Sequence, residues 1–172
     1  MSEADDLDRS ILGKKAAVDG FAHELILAGI LMKRYLNVSL VDLPLSEYDI
    51  LVVLKNENEE EVFIRVQSKT AIKSVKFTGG TRGGVDREYK SDIKKYTQSP
   101  KTADVIIGVT PNENGAFDLY IVPTVLIEFF GTESKSLRQL QPLKNNFEML
   151  ERSKDHDFII AKVKELGVIN DD

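Results

Sequence analysis

Apolar residues recur at helical spacing between Ile11 and Leu36, placing Leu12, Ala16, Phe21, Leu25, Ala28, Met32 and Tyr35 on one broad face. The pattern predicts a long helix over residues 11–36. Gly20 and Gly29 inside it each lower helix propensity by up to about 1 kcal/mol against alanine and mark close packing on a sheet. Asn37 is its expected stop. The apolar runs then become short. Val38–Val41 and Asp49–Leu54 read as strands divided by Pro44 and Ser46, and the polar run Lys55–Glu61 joins Ile50–Leu54 to Val62–Gln67 as a hairpin. Ile72–Phe77 is expected to add one more strand to that sheet. Downstream, the pattern predicts a short basic helix over Val85–Tyr96 and strands at Val105–Val109 and Leu119–Val122, joined by a turn at Pro111–Gly115. A helical turn at Thr124–Phe130 and helices near Asn146–Arg152 and Asp157–Leu166 complete the chain. No internal repeat, low-complexity stretch or clear boundary interrupts the order. It implies an α/β chain: a central mixed sheet of about five strands flanked by helices, in a single domain over 1–172.

Composition narrows the chemistry. Of 172 residues, 42% are hydrophobic and 30% charged, ordinary values for a chain that buries a core. No apolar run approaches the ~18 residues of a membrane span, and the acidic start lacks the pattern of a signal peptide, so a cytoplasmic location without membrane contact is expected. With no cysteine, thiolate sites and disulfides are excluded, and His23 and His156 are too few for a three-histidine zinc centre. A hard cation on oxygen ligands stays open. The net charge of −5 is unevenly spread: Arg65–Lys101 holds ten basic residues against three acidic, a local +7 that leaves −12 for the rest. Such a block suits a phosphate-binding face, although a solvated helix and loop have the same composition. The glycine-rich stretch Gly79–Gly84 lacks the spacing of a phosphate loop and reads first as a strand-to-helix connection.

The chemistry concentrates between Tyr48 and Thr70. Asp49 opens an apolar strand whose hairpin partner ends Ile64-Arg65-Val66-Gln67-Ser68-Lys69-Thr70. Alternation puts Arg65, Gln67 and Lys69 on one face and Ile64 and Val66 on the other, so Asp49 can lie beside Gln67 and Lys69. A carboxylate, an amide and an ammonium at one sheet edge must pair with each other, with a metal or with water. Plainer roles exist for each: a turn cap beside Ser46 for Asp49, an exposed strand face for Gln67 and Lys69, surface pairing with Lys14 or Lys15 for Glu24, and helix packing for His23.

The order Glu24, Tyr48-Asp49, Gln67-Ser68-Lys69-Thr70 resembles the PD-(D/E)XK phosphodiesterase superfamily, which includes restriction endonucleases and Holliday-junction resolvases. The run Tyr89, Asp92-Ile93, Asp104–Ile107 and Leu119–Pro123 is similar to the helix and closing strands that follow in that family. The resemblance spans roughly 11–128 and leaves 129–172 as a helical extension. Tyr48 stands where the family has proline, and Gln67 where it has a carboxylate. A restriction-endonuclease-like core is implied, with Glu24, Asp49, Gln67 and Lys69 catalytic. Mg²⁺, or Mn²⁺ in its place, would be held by Asp49, Gln67, Ser68 and Glu24. The resemblance further implies a homodimeric DNA endonuclease, with a Holliday-junction resolvase or a catalytically impaired binding module as alternatives. Thr70, Lys73, Arg82, Arg87, Lys90, Lys94 and Lys95 are the expected DNA contacts.

Overall fold

The computed structural model describes residues 3–43, 45–80 and 95–169, with the backbone alone for 3–10. The elements in chain order are α1 (Glu3–Tyr35), β1 (Val38–Leu40), β2 (Ile50–Lys55), β3 (Glu61–Thr70), β4 (Ser74–Lys76), β5 (Thr78–Gly79), β6 (Tyr96–Thr97), β7 (Val105–Pro111) and β8 (Phe117–Pro123). They are followed by α2 (Leu126–Phe130), β9 (Ser134–Ser136), a 3-10 turn (Gln141–Leu143), α3 (Glu148–Glu151) and α4 (His156–Glu165). The expected central sheet of about five strands is present as five, ordered β1-β2-β3-β7-β8. β1, β2 and β3 run antiparallel in sequence order, β3 and β7 pair in parallel, and β8 returns antiparallel. The sheet is therefore mixed, with helices on its faces. Val105 to Val109 are all buried, as a strand covered on both faces requires.

Two expectations are corrected. The segment around Ile72–Phe77 does not widen the central sheet; β4 leaves it and pairs with β9 in a separate ribbon, while β5 pairs with β6. Only Val75 and Phe77 of this segment are drawn into the core, and Ile72 stays exposed, so its short apolar run reflects anchoring rather than a central strand. The helix face is also different, and Gly20 and Gly29 mark no close packing on the sheet, since a Cβ at either would meet nothing within 4 Å. α1 begins at Glu3 and turns its Leu27, Ala28 and Leu31 to the core, while Phe21, Leu25 and Met32 face outward. Residues 25–32 are apolar almost all round the helix, so periodicity alone does not select a face; contact with β1, β2 and β3 does. The helix ends one residue before the expected stop region, with Leu36 at φ 64 and Asn37 beyond it. The expected helix at Val85–Tyr96 lies outside the described residues over 85–94, as do Arg82, Arg87, Lys90 and Lys94; Tyr96 itself is in β6.

The C-terminal segment joins the same buried cluster: Leu140, Leu143, Met149, Leu150, Ile159 and Val163 pack with the sheet residues. One charged group helps hold the centre. Asp104, at the entry to β7, accepts from the Arg65 backbone N–H (2.7 Å) and from its guanidinium (2.9 and 3.1 Å), and Lys154 lies at 3.3 Å. Burial pushes the Asp104 carboxyl up, but the Arg65 side chain and backbone, with Lys154, outweigh it and hold it below the usual range. Asp104→Ala would strand these donors, and a loss of about 3 kcal/mol is expected in a urea melt. An unchanged midpoint would show that the pairing contributes nothing.

Candidate active site

β2 and β3 bring Asp49 and Gln67 together because Ile50 pairs with Val66, so the preceding residue of one faces the next of the other. The Asp49 backbone N–H donates to the Val66 carbonyl at 2.9 Å, fixing the register at the strand's start. Its side-chain Oδ2 accepts from the Ser68 N–H at 2.8 Å and from the Gln67 amide nitrogen. Lys69 sits one pleat further on, in register with Gly108 of β7. A Cβ at Gly108 would come within 2.5 Å of Val75, so glycine there lets the chain after β3 fold back over the sheet. That return brings Lys76 near Lys69.

Glu24 reaches the site from α1, three residues before Leu27 and so on the core-facing side. It is half-buried, and its carboxyl is raised above the usual range, first by burial and then by the charge of Asp49. The Lys69 ammonium is lowered, first by burial and further by Lys76, while Asp49 opposes the shift. Two carboxylates and a lysine thus share one partly desolvated region.

Glu24 therefore supplies a prediction about pH. A carboxyl raised in the fold favours folding when protonated, and this contribution is complete below its ordinary value of 4.5 and lost as pH rises through its folded value. Glu24→Gln is expected to raise the melting temperature at neutral pH by about 2 °C, with the gain vanishing below pH ~4. Melts across that range check it. A gain that persists in acid would exclude relief of this repulsion as the cause.

Gln67 is held from both ends. Its nitrogen donates to Asp49 and to the Ser68 carbonyl at 3.2 Å, and its oxygen accepts from Gln98 Nε2 at 3.1 Å. Gln98 is buried, also donates to the Glu47 carbonyl at 3.2 Å, and accepts from the Thr102 hydroxyl. No sequence signal marked Gln98. It lies 31 positions from Gln67 with no motif around it, and only the crossover from β3 to β7 brings the two together. Ser68 keeps its hydroxyl buried, with no hydrogen-bond partner among the described residues.

The expected DNA contacts divide. Lys69 opens into a cleft of about 480 Å³ lined by Lys76, Thr78, Lys95, Glu133 and Ser134. Lys95, one of the expected contacts, lines it while paired to Glu133 at 2.5 Å; Lys76 was not foreseen. Thr70 is exposed and its hydroxyl meets His23 Nδ1 at 2.8 Å, rather than standing open to a ligand. His23, adjacent to Glu24, packs edge-on against Phe117 with ring centroids 5.7 Å apart, the packing role foreseen for it. Lys73 is exposed just before β4. Arg82, Arg87, Lys90 and Lys94 lie outside the described residues.

No family model matches this chain. No curated protein matches it. Among solved structures, it is similar to a bacterial homing endonuclease, I-Ssp6803I, at 15% identity and a TM-score of 0.49, over 70% of this chain and 76% of that one. No helix among the described residues is long and apolar enough to cross a membrane.

Proposed function

We propose that this chain is a divalent-metal-dependent endonuclease that hydrolyses DNA phosphodiester bonds. The observation that carries the reading is the meeting of Glu24, Asp49, Gln67 and Lys69 at one sheet end, beside a cleft lined by two more lysines. Among the described residues no three His, Cys, Asp or Glu side chains gather as a metal cluster. The oxygen donors there suit a hard cation: two carboxylates close enough to raise Glu24 and the Ser68 carbonyl, with the Gln67 amide turning its nitrogen toward them. A Mg²⁺ or Mn²⁺ ion held there by Asp49, Glu24 and the Ser68 carbonyl would supply charge neutralisation at the phosphate and lower the pKa of water.

The protein's own groups do the rest. Asp49 and Glu24 hold negative charge where the ion binds. Gln67 must present its oxygen to that point, which turns its nitrogen toward Gln98. Gln98, which now donates to the Gln67 oxygen and accepts from Thr102, would have to turn its own amide as well and give up its bond to the Glu47 carbonyl. Lys69, a partly desolvated ammonium, donates to and so orients the attacking water, and balances the charge that grows on the phosphate oxygens. Lys76 and Lys95 hold neighbouring phosphates of the strand without reading bases.

A second reading has its own support. The Gln67 amide nitrogen points at Asp49 and so occupies, with a neutral donor, the place of a cation. A catalytically impaired DNA-binding module would look the same. Incubation of the protein with plasmid, linear and four-way-junction DNA, with Mg²⁺ or with chelator, separates these. Metal-dependent cleavage of any of the three supports the nuclease, and preferential cutting of the junction makes it a resolvase. Binding without cleavage in every arm overturns the enzyme reading.

Gln67→Glu tests the amide directly. A third carboxylate is expected to tighten Mn²⁺ binding about tenfold in calorimetry, or ~1.4 kcal/mol. Affinity that falls instead would place the ion away from residue 67.

A further inference from the structure

The two glutamines beside Asp49 form a chain of hydrogen bonds whose direction is fixed at its ends. Gln98 is 1% exposed, so its amide must find its partners inside the protein. Its backbone is pinned on both sides. The Gln98 N–H donates to the Phe77 carbonyl at 2.8 Å, and the Ser99 N–H donates to the Thr102 hydroxyl at 3.0 Å. The oxygen and nitrogen of an amide have nearly the same shape, and only the partners decide which way it faces. The hydroxyls of Thr102 and Tyr96 decide nothing, because each is able to donate or accept. The Glu47 carbonyl only accepts. Gln98 Nε2 therefore faces Glu47, at 3.2 Å, and the same nitrogen meets the Gln67 oxygen at 3.1 Å.

At the other end, the Gln67 nitrogen meets two more groups that only accept, the Asp49 carboxylate and the Ser68 carbonyl. Turning Gln67 alone would press its oxygen on both of these and its nitrogen on the nitrogen of Gln98. Turning Gln98 with it removes the second clash but leaves the Glu47 carbonyl with no donor among the described residues. A half-satisfied buried network is costly, so the two amides turn together or not at all. Glu47 lies two positions before Asp49, so the anchor belongs to the same loop that delivers the carboxylate. A cation beside Asp49 would reverse the balance, since it attracts the oxygen end of Gln67 and repels the nitrogen end.

We infer that Gln98 is a positioning residue: anchored on the Glu47 carbonyl, it locks the Gln67 amide with its nitrogen toward Asp49. Gln67 then offers its oxygen to a divalent cation only when both amides turn. The lock is a property of the metal-free fold, while its effect on a cation rests on the proposed nuclease site.

Side-chain amide resonances of the metal-free wild-type protein read the orientation. Gln67 Nε2 and the Ser68 N–H both donate to Asp49 Oδ2, so nuclear Overhauser contacts between their protons are expected. Gln67 amide protons that lack this contact overturn the lock, and no variant is needed to see it. On titration with Mg²⁺, the amides of Gln67 and Gln98 are expected to shift over the same concentration range. A Gln67 amide that turns while Gln98 stays overturns the coupling. Calorimetry with Mn²⁺ reads the consequence. In Gln98→Met the Glu47 carbonyl has already lost its donor, so Gln67 turns without that cost, and Mn²⁺ binding is expected to tighten about tenfold. Mere damage to the site would weaken it. Gln67→Glu has no amide to turn, so adding Gln98→Met to it is expected to bring no such gain. An equal gain in both backgrounds, or a loss in the first, overturns the positioning role. Absence of Mn²⁺ binding in every chain overturns the nuclease reading and leaves the amide contacts to decide the lock.

Discussion

Replacing Asp49 with alanine is expected to reduce DNA cleavage by about 10³-fold or more, because the change removes several kcal/mol of charge stabilisation and each ~1.4 kcal/mol is a tenfold in rate. Asp49 is where the site is tied together. It takes the Ser68 N–H at 2.8 Å and the Gln67 amide, raises Glu24 by its charge, and opposes the lowering of Lys69. Metal binding measured by calorimetry should vanish along with activity. Asp49→Asn keeps the shape and removes the charge, and it should fail equally. The fold is expected to persist, since Asp49 precedes β2 and the core residues Ile50 and Val52 are untouched. Wild-type cutting by either variant would remove the site assignment.

Lys69→Met is the second large expectation, and its two readouts move in opposite directions. Cleavage should again fall by about 10³-fold, the loss of one group that stabilises transition-state charge. Stability should not fall with it. Burial and Lys76 hold the ammonium below its ordinary value of 10.5, so the fold prefers the neutral amine. The stabilisation linked to this lowered group is present above 10.5 and lost as pH falls through its folded value. Near neutrality the protein therefore carries a desolvated charge at a cost, which methionine of similar length removes. The variant is expected to melt about 2 °C higher at pH 7, with the difference closing as pH rises into the alkaline range. A lower melting temperature would mean that the attraction to Asp49 outweighs burial.

Much of this geometry was legible in the sequence because it is local. A hairpin with a polar turn fixes which residues of β2 and β3 oppose each other, and a strand's period of two then puts Gln67 and Lys69 on one side. Asp49 follows from the same register. Glu24 is harder, since a helix apolar over residues 25–32 does not declare its inner side; Leu27 and Leu31 settle it only once the sheet is present. Gln98 was not legible. It is a lone polar residue whose burial and contact with Gln67 depend on a long-range crossover. Lys76 was missed for a related reason: its segment read as one more strand of the central sheet, whereas Gly108 allows it to double back beside Lys69. The basic helix expected at Val85–Tyr96 lies outside the described residues over 85–94.

The parallel join between β3 and β7 has an evolutionary consequence. A parallel pair cannot be closed by a tight turn, so the polypeptide must depart at Thr70 and come back at Val105. That detour leaves from the sheet end that carries Lys69, while the scaffold strands keep their neighbours. Insertions of different length and charge between Thr70 and Val105 are thus compatible with one unchanged pairing of β3 and β7.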